Sequence, residues 1–149
     1  MVKVQREILI HAPVEKVFTF MNDPHNLPQI WPSMMEVKHA TLNSIGGYDF
    51  EWVYKMAGMH FNGASKTTEY NLNQRIITQS TRGIESRFVW DYKAEGPNTR
   101  LAVEIEYKVP MPLIGKLAEV VITRQNEHEA DIMLNNLKDR MEIETPMPA

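Results

Sequence analysis

Five histidines, His11, His25, His39, His60 and His128, are the side chains of this sequence best suited to move protons or hold a metal near neutral pH. None follows another at a spacing of three or four, and no His-Glu-x-x-His phrase occurs. His128 lies among Glu127, Glu129 and Asp131, but neighbours along a helix point in different directions, so the group reads as a solvated surface. The absence of cysteine removes disulfides, thiolate ligands and a cysteine nucleophile. Gly46-Gly47 and Gly58 are ordinary turn residues, and no Gly-x-Gly-x-x-Gly or Walker-type loop is present to cradle a phosphate. The sequence calls for no metal and no cofactor.

Acid or base catalysis needs a titratable group inside a pocket. Glu119 is the best carboxylate candidate, with His60 as a partner from a strand and Arg6 or Arg87 as counter-ions. No spacing ties Glu119 to a base or a nucleophile, and a charge at a pocket mouth or in water is its bland reading. The aromatic set is more informative. Trp31, Phe50, Trp52, Tyr54, Phe88, Trp90, Tyr92 and Tyr107 are expected on one concave side, joined by Met34 and Met56. Core packing accounts for part of that set. Trp and Tyr also carry a polar group that needs a partner when buried, which suits a pocket for a flat or amphipathic ligand. Ten methionines in this length would make an adaptable lining.

The elements that must position these residues follow from periodicity. Val2 to Ile10 reads as a strand with Val4, Ile8 and Ile10 on one face, interrupted by Arg6. Pro13 suits a first helical position, and Val14, Val17, Phe18 and Met21 give a short helix one apolar face before Asp23-Pro24 stops it. A second helical turn comes within His25 to Ser33. Antiparallel strands are then expected over Val37–Leu42, Tyr48–Met56, Met59–Tyr70, Arg75–Thr81, Ser86–Glu95 and Thr99–Val109. The register of Met59–Tyr70 does not follow from its polar pattern. Tyr48, Phe50, Trp52, Tyr54 and Met56 alternate most clearly, and Leu101, Val103, Ile105 and Tyr107 do likewise, implying one covered and one wet sheet face.

Gly115 to about Met141 reads as one helix of about 40 Å. It must cover the apolar sheet face, giving an α+β layer architecture. Its apolar stripe, Ala130, Met133, Leu134, Leu137 and Met141, runs back at helical spacing into Asn126, Thr123 and Glu119. Burying such groups unpaired costs about 1–3 kcal/mol each. Either that half borders a cavity, or the helix rolls to bury Leu117, Val121 and Ile132 instead, since Leu117, Val120, Val121 and Ile122 form an apolar cluster of their own. A curved sheet that fails to close on the helix would leave such a cavity.

The phrase Ile8-Leu9-Ile10-His11-Ala12-Pro13-Val14-Glu15-Lys16-Val17-Phe18 resembles the opening of START-like, polyketide-cyclase/lipid-transport proteins. Asp23-Pro24, Leu27-Pro28 and Trp31-Pro32 resemble the next phrase in those proteins, and Leu134-Asn135-Asn136-Leu137-Lys138 resembles the end of that superfamily's long helix. The resemblance spans about residues 2–142. It implies a helix-grip fold: a curved seven-stranded antiparallel sheet around a long C-terminal helix, with two short helices between strands 1 and 2. Residues 1–143 are expected to form one domain and 144–149 a disordered tail. The resemblance implies carriers of lipids, quinones or hormones, or aromatase/cyclase enzymes, and the fold does not choose among them.

A net charge of −3 and scattered basic residues exclude a basic nucleic-acid surface. The charged N-terminus lacks a secretory pattern and no apolar run spans a bilayer, so a cytoplasmic monomer or homodimer is expected. Three functions compete. The first is binding or transport of a small hydrophobic or aromatic molecule, held by Trp31, Met34, Trp52, Tyr54, Met56, Phe88, Trp90, Tyr92, Tyr107, Glu119, Thr123 and Asn126. The second is a cyclase or dehydratase using Glu119 or a pocket histidine such as His60. The third is a protein-interaction module.

Overall fold

In the computed structural model, which describes residues 1–144 without the side chains of Lys116 and Glu144, alternation of apolar residues becomes a seven-stranded sheet. The strands are β1 (Val2–Ile10), β2 (Met34–Leu42), β3 (Tyr48–Met56), β4 (Met59–Asn71), β5 (Arg75–Arg82), β6 (Ser86–Glu95) and β7 (Asn98–Tyr107). Their spatial order is β1-β7-β6-β5-β4-β3-β2, with every neighbouring pair antiparallel. Between β1 and β2 lie α1 (Val14–Asn22), a 3-10 turn (Pro24–Asn26) and α2 (Leu27–Ile30). The last described element is α3 (Lys116–Glu144), 29 residues or about 43 Å long. This is the helix-grip architecture. The last residues of the expected tail, 145–149, lie outside the described residues.

Local chemistry explains the short helices. Pro13 has extended backbone (φ −63°, ψ 148°) and leads into α1, which buries Val14, Val17, Phe18 and Met21. Phe18 meets Tyr92 and Tyr70 edge-on, with ring centroids 5.0 and 5.5 Å away, and so seats α1 on the sheet. Asp23 ends α1 and its carboxylate accepts from the His25 backbone N–H, which starts the next turn.

β4 supplies the register that the sequence left open. Trp52 pairs with Gly63 and Phe50 with Ser65, and shifts at Ala64/Ser65 and Thr67/Glu69 mark bulges toward β5. Gly63 and Thr67 are buried, and Phe61 and Ser65 partly so. The covered face of β4 is therefore built of small and polar side chains. That composition erased the hydrophobic alternation by which strands are recognised.

The question of helix roll is also resolved. Ala130, Met133, Leu134, Leu137 and Met141 are buried as expected, and the stripe continues in steps of four through Asn126 to Ile122, which is 2% exposed. Leu117 is 86% exposed and Val121 54%, so α3 does not turn that cluster inward. No described side chain from Leu117 to Val121 is buried. Arg6, the interruption in β1, reaches α3 instead of water alone, pairing with Asp131 at 2.8 Å and with Glu127 at 3.9 Å.

The rest of α3 is fastened by groups the sequence did not single out. Glu129 accepts from the Ser33 backbone N–H at 2.6 Å, and Asn136 donates to the Ile30 carbonyl at 2.9 Å. Lys138 donates to the Leu9 carbonyl, while Glu142 accepts from the His11 N–H. The helix is tied to β1 and to the short helices, and it spans the sheet between them.

Candidate functional site: an uncharged aromatic cavity

Between the sheet and α3 the side chains leave a void of about 110 Å³, counted as room for the centres of water-sized spheres. A single water needs roughly 10–15 Å³ on that measure, so this is more than a packing defect. β3 contributes Phe50, Trp52, Tyr54 and Met56, and β6 contributes Phe88 and Trp90. Trp31 enters from the end of α2, Met34 from β2, Tyr107 from β7, and Asn126 and Ala130 from α3. Nine of the residues expected on the lining are thus brought together: Trp31, Met34, Trp52, Tyr54, Met56, Phe88, Trp90, Tyr107 and Asn126.

The other named residues lie elsewhere. Tyr92 is buried behind the wall, against Phe18 of α1. Glu119 and Thr123 border a groove along α3 with Val120, Arg124 and Glu127, and Thr123 also reaches the hydroxyl of Tyr107 on the lining. All five come from one helix, so that groove is an open surface. His60 is exposed on β4, opposite Lys55. The buried stripe steps by four from Asn126 to Ile122, which leaves Glu119 off the buried line while Thr123 stays beside Tyr107. Arg87 is half-buried on β6, opposite Gln79 and Glu106.

Sequence reasoning missed a second class of lining group. Ser65 and Thr67 from β4, Thr78 from β5 and Ser86 from β6 bring hydroxyls to the wall, and Asn22 of α1 brings an amide. The signal available for β4 was its inward row Phe61, Gly63, Ser65 and Thr67, too polar for a packed core. Met21, Leu27, Ile76, Ile84 and Ile105 add apolar surface.

The polar groups of the lining form short chains. Tyr54 Oη donates to Asn126 Oδ1 at 3.4 Å, and Asn126 Nδ2 donates to Tyr107 Oη at 2.9 Å, so one amide links β3, α3 and β7. Trp52 Nε1 donates to Ser65 Oγ at 2.9 Å. Trp31 Nε1 is buried and has no hydrogen-bond partner among the described residues. Its ring is held edge-on to Tyr54 and to Phe88, each with centroids 5.4 Å away.

Burial holds the Tyr54 phenol well above its ordinary range, and the carboxylate of Glu129 pushes the same way, partly offset by Trp31 and Ser33. Tyr107 is raised too, chiefly by burial. Both therefore stay neutral hydroxyls at physiological pH. Among the described residues that line the void there is no Asp, Glu, His, Lys or Arg. The wall offers hydroxyl, amide and indole groups in an apolar aromatic setting, and no group that titrates near neutrality. Among the described residues no cluster of three or more His, Asp or Glu side chains is placed to hold a metal ion.

The family model for polyketide cyclase/dehydrase and lipid transport matches residues 1–142. This chain belongs to that family. Solved structures share its fold. A START superfamily protein from Mycobacterium smegmatis superposes with a TM-score of 0.80 at 17% identity, covering 96% of this chain and 99% of that one. The Zhui aromatase/cyclase from Streptomyces sp. R1128 gives 0.79 at 14% identity, covering 95% and 93%. TTHA0849 from Thermus thermophilus gives 0.76 at 21% identity, covering 97% and 100%. At these identities the likeness establishes the helix-grip fold alone. No curated protein matches the chain in sequence. No helix among the described residues is long and apolar enough to cross a membrane.

Proposed function

We propose that this member of the polyketide cyclase/dehydrase and lipid transport family binds or carries a small hydrophobic or aromatic molecule in the void beneath α3. The observation that carries this reading is the lining itself: aromatic and aliphatic surface around a void, with neutral polar groups and, among the described residues, no Asp, Glu, His, Lys or Arg. Apolar ligand surface leaving water contributes about 25 cal/mol per Å². The hydroxyls and amides then fix orientation instead of supplying most of the affinity. A proton-shuttling cyclase built on Glu119 or His60 finds no support in this arrangement, because neither side chain borders the void.

Native mass spectrometry of the protein from its own host, with and without Ala130→Phe, tests the reading. Ala130 is buried on the lining, so a phenyl ring there fills the void from the helix side. A stoichiometric small molecule on the wild type that is absent from the variant is the expected result. Wild-type protein that carries nothing and takes up no neutral aromatic compound would overturn it.

A further inference from the structure

Met111, Ile114, Leu117, Val120 and Val121 follow closely along the chain, and each is at least half exposed. Leu117 and Val121 are one helical turn apart, on the face of α3 opposite the stripe that buries Ile122, Ala130 and Leu137. Single exposed apolar side chains are ordinary, but several together mark an interaction surface. Among the described residues, the hydrogen bonds and ion pairs from α3 to other elements begin at Thr123. The first turns of the helix are therefore unfastened as well as uncovered.

Charge says what covers them. The stretch from Lys108 to Ala118 carries Lys108 and Lys116 and no acid, whereas Gln125 to Asn135 carries Glu127, Glu129 and Asp131 and no lysine or arginine. A lysine at a helix N-terminus works against the helix dipole, so its gain comes from outside its own helix. Parallel copies of α3 would set like charges side by side. Antiparallel copies related by a two-fold axis set each basic stretch against the other's acidic one, oppose the two dipoles, and close after two subunits. The midpoint of the two charged stretches falls at Val120 and Val121, within the apolar set. Leu117 of one copy then meets Val121 and the aliphatic stem of Arg124 of the other.

Other occupants fit less well. An anionic membrane would meet three carboxylates within two turns of the same helix. Residues 145–149 follow the far end of a helix about 43 Å long, and five residues extend at most about 18 Å.

We propose that the first turns of α3 form the contact surface of a homodimer, in which two copies of this chain pack antiparallel about a two-fold axis near Val120 and Val121. A standard interface takes about 800 Å² from each partner, and five side chains supply only part of that, so the association is weak and reversible. None of the five lines the void, so dimerisation stands apart from ligand binding.

Sedimentation of the full chain from about 10 µM to 1 mM tests it. The mass is expected to climb from one copy toward two. Leu117→Lys should weaken association at least about tenfold, and Lys108→Glu about threefold. Both positions are exposed, so circular dichroism should show the fold intact. The chain has no cysteine, so single cysteines report the geometry. Val121→Cys should join two copies under mild oxidation. His128→Cys should not, because seven residues place it about 10 Å from the axis and about 20 Å from its counterpart, whereas a disulfide spans about 7 Å at most.

A single copy throughout the concentration range overturns the inference, as does a dimer that Leu117→Lys leaves unchanged. Cross-linking through His128→Cys in place of Val121→Cys overturns the antiparallel arrangement. A monomer that binds phosphatidylserine vesicles, and loses them with Leu117→Lys, gives the surface to a membrane and overturns the dimer. If Val121→Cys does not fold, Val120→Cys beside the same axis takes its place.

Discussion

Gly63 lies directly against the Trp52 indole: a β-carbon at Gly63 would sit 2.2 Å from Trp52 Cζ2 and 2.7 Å from the Arg82 carbonyl oxygen. One contact is a ring that lines the void and the other is backbone, so neither can yield cheaply. Gly63→Ala is expected to cost about 1–3 kcal/mol by overpacking, and to break the bond from Trp52 to Ser65. Urea unfolding followed by tryptophan fluorescence measures it. A loss below about 0.5 kcal/mol, the range of an inconsequential surface change, would show that the indole has room to move.

Asn126 bridges Tyr54 and Tyr107, and a double-mutant cycle separates that bond from simple packing. Tyr107→Phe should cost about 1 kcal/mol. Asn126→Ala should then cost measurably less in the Tyr107→Phe background than in the wild type. Strict additivity of the two changes would mean the hydrogen bond contributes nothing.

Tyr92 offers the opposite sign. Its hydroxyl is buried without a partner among the described residues, and burial alone holds the phenol far above its usual value of 10.0. Tyr92→Phe keeps the ring against Phe18 and removes the unpaired group, so it should raise stability by about 1 kcal/mol. The pH dependence follows from the raised value. A group that ionises later when folded stabilises fully below its unfolded value, and that contribution is lost as pH rises above about 10. The alkaline decline of the wild type should therefore be steeper than that of Tyr92→Phe, and equal slopes would contradict it.

Acid acts through Glu51, which bridges His39 and Arg82 on the outer face of the sheet. Those partners, His39 first, hold its carboxyl at about 2 against an ordinary 4.5. A depressed carboxyl contributes fully above its unfolded value and loses that contribution as pH falls through its folded one. Denaturation midpoints should drop between pH values of about 4.5 and 2, and Glu51→Gln should flatten that segment. The difference should shrink in high salt, since the cluster is partly exposed.

On α3, Leu117→Lys should leave stability within about 0.5 kcal/mol, whereas Ile122→Ala should cost about 2–5 kcal/mol. Thermal melts of the two variants check the placement. Comparable losses would mean that the first turns of the helix pack inward after all.

These positions also show which information the chain carries openly. The rows Phe50-Trp52-Tyr54-Met56 and Leu101-Val103-Ile105-Tyr107 were readable because large apolar residues at every second place have one explanation. The Ala12-Pro13 entry to α1 was readable for a similar local reason. β4 was opaque because its covered face carries Gly63, Ser65 and Thr67, the last two on the wall of the void, and two bulges toward β5 shift its pairing. Glu119 went astray because a helical wheel shows direction but not length. It cannot show that no side chain from Leu117 to Val121 is buried, or that the stripe steps by four at Ile122.

A wall without ions has a consequence for the conditions under which it works. Mobile electrolyte screens attraction between charges, and none of the described residues that line the void carries one. No lining side chain takes up or releases a proton between about pH 5 and 9 either. Occupancy should therefore stay level as ionic strength and acidity vary across the physiological span, which leaves concentration and temperature as the variables that load and empty the protein.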